Sequence, residues 1–314
     1  MSMGKIAFVF PGQGSQSVGM GKDIYESLPA ARSLYEQADA VLGFSLTQLV
    51  FEGPDTELKQ TVNTQPALLT TSVALYEALA AKGISPDYVA GHSLGEYSAL
   101  TAAGVLTFED AVATVRARGQ YMEQAVPDGQ GAMAAVLGGE REALAGLCAD
   151  ITQGGQVVEL ANVNCPGQIV VSGSKEGVAQ IVERVKEIGA KRAISLEVSG
   201  PFHSSLMKSA ADRLGDKLQG LAFKDASVPV VANVTARPVQ QGQEISRLLV
   251  EQVYSPVLWA DSVAWLISQG VDTFVELGPG SVLTGLIKKI DKSVRTFNVN
   301  GLDSLEQTTE VLRS

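Results

Sequence analysis

The sequence predicts an α/β protein with a parallel-sheet core and an inserted ferredoxin-like small domain. Three observations carry that expectation. Short Val/Ile runs alternate with Ala/Leu-rich stretches of helical period along the 314 residues. Turn chemistry at Pro127-Asp128-Gly129-Gln130-Gly131 interrupts that alternation. Beyond it the element order becomes βαββαβ, which is the ferredoxin-like arrangement. Residues 1–128 and 200–314 are therefore expected to form a large catalytic domain and 129–199 a small one. The length alone also suggests two domains.

The elements follow in order. Ile6 to Phe10 is apolar and β-prone, so it reads as a buried first strand, followed by the loop Pro11-Gly12-Gln13-Gly14-Ser15-Gln16. Helical periodicity dominates from about Asp23 to Val50. A long helix covers about Gln65 to Lys82, with Gly83 just past its end. Tyr88-Val89-Ala90 is a short strand and Leu94 to Ala103 a helix, with Gly91-His92-Ser93-Leu94-Gly95 spanning the junction.

In the insert, strand Ala132 to Leu137 leads to helix Arg141 to Ala149 and strand Val157 to Val163. Asn164-Cys165-Pro166-Gly167 is a turn, followed by strand Gln168 to Ser172, helix Lys175 to Ile188 and strand Arg192 to Val198. The α/β pattern then resumes with a helix from about Ser204 to Leu221 and strand Val228 to Val231. Helices near Glu244 to Val253 and Ala260 to Ser268, strand Thr273 to Val275, helix Ser281 to Ile290 and a last strand near Arg295 to Val299 complete the chain.

Bulk properties exclude several classes. Hydrophobic residues at 45% and charged residues at 18% are globular values, too apolar for a disordered chain. A net charge of −10 argues against nucleic acid, which needs a basic face to neutralise phosphates. No apolar run approaches the roughly 20 residues of a membrane span, and Ile6 to Phe10 is too short for a signal segment. The expected location is the cytoplasm. Met1-Ser2-Met3 reads as a remnant of cloning. The two cysteines, Cys148 and Cys165, match neither a zinc nor a CxxC spacing and read as free thiols; no metal site is expected. No apolar stripe is left over, so the expected state is a monomer.

The chemistry concentrates at Ser93. A serine in G-x-S-x-G between a strand and a helix is the nucleophile-elbow signature. The turn holds the hydroxyl out at the sheet's end, the flanking glycines let neighbouring backbone pass close by, and the helix N-terminus favours developing negative charge. A serine hydroxyl needs a base at neutral pH. The chain has two histidines. His92 adjoins Ser93 and on a sharp turn should point away from its hydroxyl, which leaves His203 as the base. The third member stays open: an acid between the two, such as Asp150 or Glu159, or a carbonyl that fixes the tautomer. Arg118 is either a fork for a substrate carboxylate or half of a surface ion pair. The Gly12-Gln13-Gly14 loop fits neither a dinucleotide fingerprint nor a P-loop. Its N–H groups and amide suit an oxyanion hole with the Leu94 N–H, or it is a plain turn.

Taken together, these segments resemble the malonyl-CoA:acyl carrier protein transacylases of fatty-acid synthesis. The resemblance rests on Phe10-Pro11-Gly12-Gln13-Gly14-Ser15-Gln16, Gly91-His92-Ser93-Leu94-Gly95-Glu96, Arg118-Gly119, Asn162-Val163-Asn164-Cys165-Pro166-Gly167-Gln168, Phe202-His203 and Glu276-Leu277-Gly278-Pro279-Gly280. It implies a hydrolase-like core, with the site in the cleft beside the insert. It implies ping-pong transfer of malonyl from malonyl-CoA, through malonyl-Ser93, to the phosphopantetheine thiol of acyl carrier protein, with no cofactor. His203 would be base and acid, held by a backbone carbonyl near Gln252. Arg118 would bind the malonyl carboxylate, and Gln13 and the Leu94 N–H would form the oxyanion hole. Phe202 resembles the malonyl-selecting pattern, His92 would neighbour the site and Asn162 would support it. Three other readings compete: a discrete polyketide-line acyltransferase, a serine esterase or thioesterase, and a catalytically dead carrier-docking module.

Overall fold

The computed structural model describes residues 4–313, so the Met1-Ser2-Met3 reading lies outside the described residues. The strands are β1 (Lys5–Phe10), β2 (Tyr88–Gly91), β3 (Gly131–Gly138), β4 (Val158–Cys165), β5 (Gln168–Ser174), β6 (Ala190–Ser195), β7 (Val230–Val231), β8 (Pro238–Val239), β9 (Val271–Leu277) and β10 (Arg295–Val299). Among the described residues they form a sheet in the order β10-β9-β1-β2-β7-β8 and a second in the order β4-β5-β3-β6.

The large sheet is parallel from β10 to β7, and β8 adds an antiparallel edge that the sequence reading did not anticipate. The predicted strand Val228 to Val231 is shorter, Val230–Val231, and the two residues of β8 give too little alternation to detect. Pleating explains why both faces are buried. On β1, Phe8 and Phe10 enter one core with Leu68, Leu69 and Leu75 of the helix Thr61–Ala80. Ala7 and Val9 face the other way, against Trp259, Val263, Leu283 and Ile287.

The small sheet is antiparallel throughout, and its strand order is the ferredoxin-like one expected from βαββαβ. Its helices Arg141–Gln153 and Lys175–Arg184 pack on one face through Leu144, Leu147, Ile151, Val178 and Ile181. Met133, Ala161 and Val170, on the other face, join the main core.

Several boundaries differ from the sequence reading. Asn164 and Cys165 belong to β4, not to a turn, because a register shift between Val163 and Cys165 carries the pairing on to Gln168. The long helix starts at Thr61 rather than Gln65. Pro66 lies inside it and lacks the N–H that would bond to Val62 O; the Arg116 guanidinium donates to that carbonyl instead. The helix Leu302–Arg313 was not expected at all. Its buried positions, Leu305, Thr308, Thr309 and Leu312, have helical spacing, but two threonines hide the apolar stripe.

Candidate active site

Ser93 sits where β2 hands over to the helix Leu94–Ala102, with φ 52° and ψ −109°, a conformation L-residues rarely adopt. The glycines at 91 and 95 make that turn sterically feasible. A Cβ on Gly91 would meet the backbone of Gly95, and one on Gly95 would meet the Phe10 carbonyl. The Ser93 hydroxyl lies 2.8 Å from His203 Nε2. His203 also has a positive φ, 59°, in the segment that leaves the small sheet.

His203 Nδ1 lies 2.9 Å from the Gln252 carbonyl oxygen. A carbonyl only accepts, so Nδ1 carries the proton and Nε2 faces Ser93 as an acceptor. Asp150 and Glu159 do not take the third place; the Glu159 carboxylate accepts from the Ser205 N–H instead. The arrangement is a dyad oriented by a carbonyl.

Arg118, on the helix Phe108–Gln124, is 1% exposed, which rules out the surface ion pair. One guanidinium arm donates to Gln65 Oε1 at 2.8 Å. The other reaches Gln252 Oε1 at 2.9 Å and the Ser93 hydroxyl at 3.2 Å. Its Nε has no partner among the described residues, and the Tyr97 ring lies 5.5 Å from the guanidinium carbon. A buried cation held by neutral amides, with a donor to spare, is poised for an incoming anion.

A cavity of about 110 Å³ opens over these groups and is lined by Gln13, Gln65, Ser93, Arg118 and His203, with Met122, Met133, Leu196 and Phe202 on its apolar side. His92, Leu94 and Asn162 line it too. A family model described as acyl transferase domain matches residues 7–307. The chain belongs to the acyl transferase family.

This acyl transferase is 54% identical over 311 residues to the malonyl CoA-acyl carrier protein transacylase of Bacillus subtilis (strain 168), covering 99% of this chain and 98% of the relative. It is similar to the crystal structure of an acyl carrier protein S-malonyltransferase from Vibrio cholerae O1 biovar eltor str. N16961. That match has a TM-score of 0.95 and 47% identity over 97% of this chain and 99% of the other. It also matches a malonyl-transacylase solved in complex with a type II PKS acyl-carrier protein, at TM-score 0.95 and 44% identity, over 98% of this chain and 99% of that one.

The remaining residues singled out in the sequence of this acyl transferase divide by what they touch. His92 turns its Nε2 to Asn164 Oδ1 at 2.8 Å and not to the Ser93 hydroxyl, as the sharp turn required. Gln13 spends its amide on Thr61 Oγ1, at 3.0 Å, while its backbone N–H has no acceptor among the described residues. Leu94 is the first residue of its helix, so its N–H has no intrahelical acceptor. Phe202 and Asn162 are buried, and Asn162 bridges to Val257 through the backbone. Gln252, singled out for its carbonyl, also donates its amide to Ser93 O and Glu96 Oε2.

Sequence reasoning assigned no role to Gln65, Glu96 or Asn233. Glu96 stood inside a quoted motif. Asn233 follows β7, beside the strand that carries Ser93, and a polar residue just past the carboxyl end of a parallel strand was the available signal. Among the described residues, no cluster of three or more His, Cys, Asp or Glu side chains suits a metal ion. No helix among them is long and apolar enough to cross a membrane.

Burial, then the charge of Arg118, hold His203 down at about 3. Burial likewise lowers His92. Glu96 is pushed the other way, up to about 7, by burial, against the Gln252 amide and the Asn233 N–H. The signs for stability are opposite. Below the ordinary histidine value of 6.5 the unfolded chain takes up a proton that folded His203 refuses, so stability falls as pH drops toward 3. Glu96 keeps its proton in the fold above 4.5, so its contribution is full below that pH and is lost as pH rises to about 7. A His203→Gln variant is expected to lose less stability than the parent between pH 7 and 5, by up to about 1.4 kcal/mol per pH unit. Urea midpoints at the two pH values measure this, and equal losses would mean that folded His203 titrates normally.

Proposed function

We propose that this acyl transferase moves a malonyl group from malonyl-CoA to the phosphopantetheine thiol of acyl carrier protein. One observation carries the reading: a buried, carboxylate-free Arg118 within hydrogen-bond reach of the Ser93 hydroxyl. A malonyl group puts its thioester carbonyl and its free carboxylate a short span apart, matching that pair.

The Ser93 hydroxyl attacks the thioester carbonyl while His203 Nε2 takes its proton. The Leu94 and Gln13 N–H groups donate to the developing oxyanion. Collapse expels CoA as its thiol, with the proton returned by His203, and leaves malonyl-Ser93. The carrier thiol then attacks that ester, gives its proton to His203, and Ser93 recovers it on departure. Malonate on Arg118 cancels part of the charge that holds His203 down, so the base strengthens when the charged donor is bound. His92, Asn162 and Phe202 shape the donor's pocket, and the Gln252 carbonyl keeps His203 in the productive tautomer.

In this reading, residues 1–128 and 200–314 form the catalytic domain and 129–199 a small domain that closes the pocket with Met133, Asn162 and Leu196. The enzyme works as a cytoplasmic monomer without a cofactor. The relatives named for acyl carrier protein, and the one bound to a type II PKS carrier, support a carrier thiol as acceptor. The apolar side of the cavity supports it over water.

Mixing the protein with malonyl-CoA is expected to add one malonyl group to Ser93, read by peptide mass spectrometry. Holo acyl carrier protein should then discharge it faster than buffer does, by at least about 100-fold. Absence of the adduct would sink the mechanism, and faster discharge to water would favour an esterase.

A further inference from the structure

A residue held at φ 52° and ψ −109° stays there only if its surroundings over-determine it. The bonds that do so for Ser93 come from far along the chain. The Ser93 N–H donates to Asn233 Oδ1 at 2.8 Å, and Asn233 Nδ2 donates to the Gly91 carbonyl at 2.6 Å. One amide therefore spans the elbow and ties residue 91 to residue 93.

Asn233 is itself fixed on three sides. Its N–H donates to Glu96 Oε2 at 3.2 Å, its carbonyl accepts from the Leu258 N–H at 2.9 Å, and the Gln252 amide lies 3.3 Å from its Oδ1. It is 1% exposed and is not among the residues that line the cavity. The transfer steps make no use of it.

We propose that Asn233, seated by Glu96, is a positioning residue that locks the nucleophile elbow and sets the Ser93 hydroxyl against His203 Nε2. The inference rests on Ser93 being the nucleophile. Without the amide, the elbow relaxes toward ordinary backbone angles and the hydroxyl leaves its place; a displacement of about 1 Å at a reacting atom costs about 100-fold in rate. Because the defect sits on the nucleophile and not on Arg118, it falls equally on charged and uncharged donors and leaves their binding intact.

The test measures kcat and KM with malonyl-CoA and acetyl-CoA, together with inactivation by phenylmethanesulfonyl fluoride, a neutral serine reagent that needs neither Arg118 nor a CoA site. In Asn233→Ala, kcat should fall about 100-fold on both donors with KM within about twofold, and inactivation should slow by a similar factor. Asn233→Asp keeps an acceptor for the Ser93 N–H but donates to the Gly91 carbonyl only when its carboxyl is protonated. Its activity relative to the parent should therefore rise as pH falls from 8 to 5.5. Of the groups around that carboxyl, Glu96 lies directly against it and titrates with it as a pair, so the ratio reports the proton that the pair gains. Arg118 beyond Gln252, and His203 and His92 across the elbow, are common to both proteins. The aspartate variant carries the test if the alanine variant does not fold. A pH-independent ratio, a raised KM at unchanged kcat, or undiminished inactivation would overturn the proposal. Failure of the reagent to label Ser93 in the parent would instead refute the nucleophile assignment.

Discussion

Replacing His203 with alanine should slow formation of the acyl-Ser93 intermediate by about 10³–10⁴-fold, near the upper end of what general-base catalysis supplies. Among the described residues the serine hydroxyl has no other base within reach. His92 is turned to Asn164 and its basicity is also lowered by burial, and Arg118, the other group on the hydroxyl, can only donate. Depression of His203 to about 3 also predicts the pH behaviour. At malonyl-CoA concentrations well below saturation, where the rate reports the free enzyme, the parent's acylation rate should stay level from pH 8 down to about 5, where an ordinary histidine would already be protonated. The variant's residual rate should climb with hydroxide. Rapid-quench acylation with malonyl-CoA followed by mass spectrometry measures both; a loss under about tenfold would mean that another group takes the proton.

Arg118→Ala should lower kcat/KM for malonyl-CoA by about 10³-fold and for acetyl-CoA by about tenfold. Losing a buried charge partner costs about 3–5 kcal/mol, and about 1.4 kcal/mol is a factor of ten. The smaller acetyl loss follows from the structure. The substitution leaves Gln65 Oε1 and Gln252 Oε1 without their donor, and Gln252 also braces Ser93 through its carbonyl. Arg118→Lys keeps a charge but not the planar fork, and should recover only part of the malonyl rate. Steady-state comparison of the two donors measures the discrimination. Equal losses on both would remove Arg118 from carboxylate recognition.

How far the chain was legible depends on the range of the interaction. The elbow at Ser93 was readable because strand, glycines and helix start lie within a few residues of one another. The second sheet was readable because the βαββαβ order of its elements is itself a topology. The helix Leu302–Arg313 was missed because threonines occupy half of its buried stripe, and β8 because two residues give no period. The first turn of the long helix, from Thr61, was missed; a proline at 66 is tolerated inside it because Arg116 takes the carbonyl left free, and nothing in the local sequence says so.

By itself, then, the sequence determined the alternation that sends Phe8 and Phe10 to one core and Ala7 and Val9 to the other, the serine at the strand end, and His203 as the remaining histidine. Tertiary structure alone decided what holds them. It brought Asn233 to Ser93 across 140 residues, the Gln252 amide across 159, and Gln65 to Arg118 across 53. Periodicity records which face of an element is buried, whereas the partner of a buried amide is set by which strands lie side by side. Glutamine and asparagine look alike at a solvated turn and at a catalytic elbow until the sheet is assembled.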